Sequence, residues 1–171
     1  AKLYNAGAPI RALAVVGNGM VKFLTTDPKL QSLTDCKGKT IYIAGQKATP
    51  DYIFQFLCAQ KGLQIERDYT AIYSLAYPEI AAGLASGKIS YAVLPEPFAT
   101  QAILKNPAII APIDITKEWQ IATNQTDYPM SLFVARKELI ELHPDKARIL
   151  LDSYRASVQK AIEDPQMIAK L

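Results

Sequence analysis

A chain of 171 residues, half of them hydrophobic and a fifth charged, has the make-up of a globular protein, with length for one well-packed domain or two small lobes. Its net charge of +3 is spread over scattered lysines and arginines. That gives a mild bias towards anions and excludes the clustered basic face of a nucleic-acid binder. Apolar runs stay well short of the roughly 18 residues that a membrane-spanning helix needs.

In chain order, Ala1 to Gly7 reads as the last turn of a helix, with Gly7 in the position that terminates helices. The opening AKLYNAGAP lacks the charged and apolar regions of a secretory leader, and the chain is expected to begin inside a fold. Arg11 to Val16 (RALAVV) is a short buried strand, and Met20 to Thr26 alternates well enough for a second. Gly17-Asn18-Gly19 lies between them, where glycines let the backbone turn or approach a ligand. Asp27 to Asp35 reads as a short helix or loop.

A strand-then-helix pattern follows three times. Thr40 to Ile43 leads through Gly45 to a helix in which Thr49 suits the N-cap and Pro50 the first position, closed by Gly62. Tyr69 to Leu75 leads to a helix from Pro78 to Ser86, closed by Gly87. Ile89 to Leu94 leads to a helix from Glu96 to Lys105, stopped at Asn106-Pro107. A further strand is expected over Ala108 to Ile113. The segment Thr116 to Asp127 is polar and breaks the alternation. Tyr128 to Ala135 is a strand, Pro144 to Ile162 an amphipathic helix, and Pro165 to Leu171 the start of another. Both ends of the chain read as cut.

Alternating strands and helices of about ten residues predict an α/β fold with a parallel sheet and right-handed crossovers. Ligands of such sheets bind beyond the carboxyl ends of the strands. The loops at 44–48, 75–77 and 95–97 therefore matter most, and they bring Gln46, Thr49, Tyr77 and Glu96 as polar contacts. The start of the helix after Gly45 is also a plausible anion pocket, because its first N–H groups lack partners and its dipole favours negative charge.

Signs of catalysis are sparse. The single histidine, His143, precedes Pro144 at a helix start and suits a capping or surface role. Cys36 and Cys58, the two cysteines, make neither a metal site nor a disulfide framework. GQKATP lacks the phosphate-loop spacing, no dinucleotide fingerprint follows a strand, and no cofactor is expected. Glu96, between two prolines at a strand end, either meets a ligand or serves the first turn of the following helix.

The stretches DCKGKTIYIAGQKATPDYIFQFL, YPEIAAGLASGKISYAVLPEPFATQAI and LFVARKELIELHPDKARILLDSY together resemble the solute-binding proteins of ABC importers, in the nitrate, sulfonate, taurine and thiamine-precursor group. Lys37-Gly38-Lys39, Gly45, Thr49, Glu79 to Ala92 and Glu96-Pro97 match that group's motifs. Cys36 stands where leucine is usual, and Ser90 where aspartate is usual. The resemblance implies a type II periplasmic-binding-protein fold with one complete parallel-sheet α/β lobe and a partial first lobe. Residues 1–26 would be the end of lobe one and a hinge strand, 27–126 the complete lobe two, and 127–171 the return strand and lobe-one helices.

It further implies a binding protein, not an enzyme, located outside the cytoplasm in the periplasm or as a membrane-anchored lipoprotein, which hands a small-molecule ligand to a membrane ABC permease. Asn18, Gly45, Gln46, Thr49 and Glu96 would line the cleft by this resemblance, with Tyr77 added by its loop position. No metal is expected, and no nucleic acid. The absence of the family's first lobe-one elements implies a truncated chain whose remnant self-associates through exposed apolar surface. Two alternatives share the fold: an enzyme of pyrimidine or menaquinone-type biosynthesis, and the effector-sensing domain of a transcription regulator. The ligand stays open, since Thr49 with its helix start favours a carboxylate, sulfonate or phosphate, and Glu96 with the tyrosines a cationic aromatic such as a pyrimidine.

Overall fold

Alternation of apolar side chains, read along the strands, builds a sheet that is covered on both faces. The computed structural model describes residues 2–169. In chain order its elements are α1 (Lys2–Asn5), β1 (Ile10–Asn18), β2 (Val21–Thr25), a 3-10 turn (Leu33–Cys36), β3 (Thr40–Ile43), α2 (Thr49–Gln60), β4 (Thr70–Ile72), α3 (Tyr77–Ala85), β5 (Tyr91–Pro95), α4 (Phe98–Lys105), α5 (Ile115–Thr123), β6 (Pro129–Arg136), α6 (Lys137–Leu142), α7 (Pro144–Glu163) and α8 (Pro165–Ile168). They fall into two units, Ala1–Gly17 with Ser131–Leu171, and Asn18–Met130.

The unit Asn18–Met130 holds a four-stranded sheet in the order β2-β5-β3-β4. β3 runs parallel to both β4 and β5, as the strand–helix–strand pattern predicts. β2 adds an antiparallel strand on the far side of β5, with Val21 opposite Pro95 and Thr25 opposite Tyr91. This pairing moves the unit boundary: residues 18–26 belong with this unit, where the sequence suggests a division at 26/27 and 126/127.

Successive side chains of a strand point to opposite faces. Phe23, Ile41, Ile43 and Val93 enter one core cluster with Phe54, Leu57 and Cys58 of α2. Leu24, Ala92 and Leu94 enter a second with Ile80 and Leu84 of α3 and Ala99 and Ala102 of α4. Phe54 is fully buried and stacks on Phe23 at 5.7 Å between centroids, with Tyr69 edge-on at 5.6 Å. Burying such a side chain contributes about 1.5–3 kcal/mol.

Several local expectations are corrected. Residues 108–113 do not form a strand: only Ile110 bridges to Thr25, while Ile109 and Ile113 are buried side chains of an extended connection. Apolar content there reflects burial, not strand pairing. The polar stretch after it is helical instead, because Asp114 caps α5 by accepting a hydrogen bond from Lys117 N–H and Asn124 ends it in the left-handed conformation. Residues 11–16 do lie in a strand, but β1 is half-exposed: its sheet has only β6 as a second strand.

In the unit formed by the chain's two ends, Gly7 closes α1 at φ 85° as expected. Its N–H donates to Tyr4 O, and Ala8 N–H to Leu3 O. Phe133 and Tyr154 rings lie 5.2 Å apart. Among the described residues of this unit Ala147 alone is buried, and Val15, Leu132, Ile149, Leu150 and Ile162 are exposed.

Both cysteines are buried free thiols, and burial pushes each up to about 12. A buried, protonated thiol is a poor nucleophile. The native protein at about pH 8 should therefore leave Ellman's reagent unreacted, and both thiols should titrate once guanidinium unfolds it. Rapid native reaction would contradict the packing. Phe54→Ala should lower the unfolding free energy by about 3–5 kcal/mol in urea titrations.

Candidate functional site

The three parallel strands deliver their carboxyl ends to one edge of the sheet. Because β2 is antiparallel and Val21 faces Pro95, its amino end arrives at that same edge. Topology therefore places all of the expected site residues there: Asn18 before β2, Gly45, Gln46 and Thr49 between β3 and α2, Tyr77 at the start of α3, and Glu96 after β5.

Some of these are brought into contact. Gly45 has φ 75°, and a Cβ built on it would lie 3.3 Å from Tyr77 Oη and 3.1 Å from Ala48 Cβ, so only glycine fits this turn without strain. Tyr77 is half-buried, burial holds its phenol above its ordinary value, and its ring lies 5.4 Å from Phe98. Glu96 N–H donates to Met20 O at 2.8 Å, tying the β5 end to the bend before β2. Its carboxylate accepts from Thr100 N–H at 3.0 Å in the first turn of α4. One oxygen thus serves the helix, as the plainer of the two sequence readings expects. Asn18 and Gln46 are exposed.

Thr49 is not the N-cap. Ala48 occupies that position without a side-chain bond, and Thr49 and Pro50 are the first two helical residues. The work falls to Asp51, which reaches back from the third helical position to accept from Lys47 N–H at 2.7 Å. It also accepts from Gln55 Nε2 at 2.6 Å and Tyr73 Oη at 2.7 Å, and is 1% exposed. This compensates for the left-handed Lys47, at φ 59°. The placement three residues after the cap is that of a capping-box acid, a signal present in the sequence but masked there by the better-known Thr-Pro pair.

A second feature not foreseen surrounds Gly19. Its φ is 58°, and a Cβ there would meet Asp127 Oδ1 and Thr116 Oγ1, each at 2.9 Å. Gly19 N–H donates to Tyr128 O, and Tyr128 Oη accepts from Val21 N–H at 3.3 Å. The bend is thus pressed against the start of α5 and the residues before β6. No local sequence signal marks contacts more than 90 residues apart. Of the two sequence readings of Gly17-Asn18-Gly19, a turn or an approach to a ligand, the turn applies: Gly19 has a positive φ, and what it approaches is the chain's own Asp127 and Thr116. Among the described residues there is no group of three or more His, Cys, Asp or Glu side chains arranged to hold a metal.

Gly19 and Gly87 make a controlled pair, since both have positive φ but a Cβ on Gly87 meets nothing within 4 Å. Gly87→Ala should cost about 1–2 kcal/mol for the left-handed backbone alone, and Gly19→Ala about 1–3 kcal/mol more for overpacking. Equal urea midpoints for the two variants would show that the bend is not tightly packed.

Comparison with solved structures gives an α/β fold of the type II periplasmic-binding-protein kind. An ABC transporter from Parabacteroides distasonis is 27% identical with a TM-score of 0.71, the match covering 96% of this chain and 53% of that one. The periplasmic aliphatic sulphonate binding protein SsuA from Escherichia coli is 16% identical with a TM-score of 0.77, covering 96% and 54%. A putative sulfonate ABC transporter protein, SsuA from Methylobacillus flagellatus KT, is 21% identical with a TM-score of 0.66, covering 98% and 48%. The chain spans about half the length of these structures. A search of curated proteins finds no match. The sequence profile of the NMT1-like family matches residues 6–171, and the chain belongs to that family.

Proposed function

We propose that this chain serves as the solute-binding component of an ABC importer, acting outside the cytoplasm. It binds a small ligand at the carboxyl edge of the sheet in unit Asn18–Met130 and passes it to a membrane permease. The observation that carries this reading is the convergence of the Asn18–Met20 bend and the loops after β3, β4 and β5 on one edge, in a chain of the NMT1-like family. Solved relatives include proteins described as binding aliphatic sulphonate and nitrate. Ligand contacts fall to Asn18, Gln46, Thr49, Tyr77 and Glu96, with Gly45 keeping the backbone close.

A ligand that binds only the folded state raises the melting temperature. Thermal-shift measurements on the whole chain should show stabilisation by at least one member of a panel comprising nitrate, ethanesulfonate, a short carboxylate and an aminopyrimidine. No shift with any of them counts against a binding role. The exposed apolar side chains of the unit formed by the two chain ends support a companion reading, self-association with a second copy. Sedimentation equilibrium should then show a species heavier than the monomer, and a monomer at every concentration would exclude it.

A further inference from the structure

Two aromatic rings stand side by side at the carboxyl edge of the sheet. Tyr77 is the first residue of α3 and Phe98 the first of α4, and their centroids lie 5.4 Å apart with the planes at 32°. Both pack against the core cluster that holds Ile80, Leu84 and Ala99, yet each is only half-buried. Part of this aromatic pair is therefore open to a solute.

The polar groups beside the rings are incompletely used. The Tyr77 hydroxyl lies 3.3 Å from where a Cβ on Gly45 would sit, so it overhangs the loop after β3. Among the described residues no group of the chain hydrogen-bonds it, and burial is the one influence that raises its titration. A half-buried hydroxyl in that condition is left to water or to a solute. Glu96 stands two residues before Phe98 and is half-buried as well. One of its oxygens accepts from Thr100 N–H. A carboxylate accepts on both oxygens, and among the described residues the other oxygen receives no donor and meets no lysine or arginine nitrogen within 4.0 Å.

Other charges at this edge offer less. Asp51 is saturated by three donors of its own surroundings, and Glu79 is exposed and accepts from Ala76 N–H. Lys47 is the cation of the loop after β3, and it is the group that an anion would seek. Its long side chain is exposed and screened by solvent and salt. Glu96 is held by its own N–H on Met20 O and by Thr100 N–H on its carboxylate, and a group fixed beforehand loses less on binding. Aromatic faces are electron-rich and attract cations and electron-poor rings.

We infer that Phe98 is a specificity-determining residue which, with Tyr77 and Glu96, selects a flat aromatic molecule carrying N–H donors: the ring lies against the Tyr77–Phe98 pair and the donors reach the free Glu96 oxygen. The inference rests on the reading of this edge as a ligand site and names the class of solute that the site takes.

The test is an NMR titration of the whole chain, following the Gly45, Tyr77 and Phe98 amides, with three probes. Benzamidine is a flat ring bearing an amidinium, cyclohexanecarboxamidine carries the same cation on a saturated ring, and benzoate is the flat ring with the opposite charge. The wild type should bind benzamidine about threefold to tenfold tighter than cyclohexanecarboxamidine, the order expected for stacking, and about tenfold or more tighter than benzoate. Phe98→Leu keeps apolar bulk on the core and should make the two amidines equal. Glu96→Gln keeps the shape and should weaken both amidines about tenfold while preserving their ratio. Loosening of the fold does not produce that division between ratio and level. Phe98→Met and Glu96→Met carry the same expectations should the first variants lose their fold.

Equal affinity of the wild type for the two amidines would overturn the inference. So would benzoate binding tighter than benzamidine, which would put Lys47 in the place of Glu96, or benzamidine binding that leaves all three amides unmoved. If the wild type binds nitrate, ethanesulfonate or a short carboxylate but not benzamidine, the binding role of the edge stands and this inference fails. If it binds none of these probes, both fail.

Discussion

β5 is the strand on which the rest of its unit depends. It is paired on both edges, antiparallel to β2 and parallel to β3, and it is buried on both faces, with Val93 in one core cluster and Ala92 and Leu94 in the other. A strand in that position cannot slip by one residue without exchanging the side chains of its two faces. The register it fixes against β2 determines where the Asn18–Met20 bend lies. Its own end delivers Glu96 to the same place, through a hydrogen bond to Met20 O. The arrangement of this edge is therefore a consequence of core packing, with no separate device needed to assemble it.

The same edge collects the starts of the helices that follow the strands, and with them a concentration of unpaired N–H groups. Such groups, when removed from water, must find acceptors. This chain supplies carboxylates at each one, of which Asp51 is buried and the others sit nearer solvent. A carboxylate moved from water into the protein is costly unless hydrogen-bonded. Three short donors meet that requirement for Asp51, and they come from the loop, the helix and the residue after β4. One side chain thereby joins three segments, which explains how Lys47 is held in a left-handed conformation that a lysine does not favour.

Much of this unit was legible because glycine and proline punctuate it. Gly62 and Gly87 end helices at φ 78° and 74°, and proline lies in the first turn of α2 and α3, so the strand–helix repeats could be read from local chemistry. The contribution of β2 was not legible: Val21 to Thr25 alternates as any strand would, and its partner is some seventy residues away. Residues 108–113 read as a strand because buried connections and buried strands share the same apolar composition. At the carboxyl edge of the sheet, the loops followed from topology, while the Asp127 and Thr116 contacts of Gly19 are long-range and leave no periodic trace. Thr49 was assigned a capping role on residue preference, and the competing acid at Asp51 won because a carboxylate is the stronger acceptor.

The unit made from the two chain ends shows what periodicity does and does not determine. Residues 144–163 carry the helix that the pattern predicts. Of the side chains on its apolar face, Ala147 is buried, whereas Leu150, Val158 and Ile162 are exposed. An amphipathic pattern specifies which face is suited to burial, and the burial itself depends on a second surface. The order-of-magnitude energetics follow from that difference. Ordering each residue costs about 1–2 kcal/mol of backbone entropy, and buried apolar area is the principal term that offsets it. In Asn18–Met130 that area comes from two clusters on either side of a sheet. In the other unit a two-stranded sheet and one buried alanine supply little of it, and α6 and α7 have no side-chain cap, so the order of its helices must rest more on i,i+4 pairs such as Lys137 with Glu141 and Arg148 with Asp152. Exposed pairs of that kind contribute a few tenths of a kcal/mol, which makes this unit the more responsive of the two to whatever apolar surface it meets.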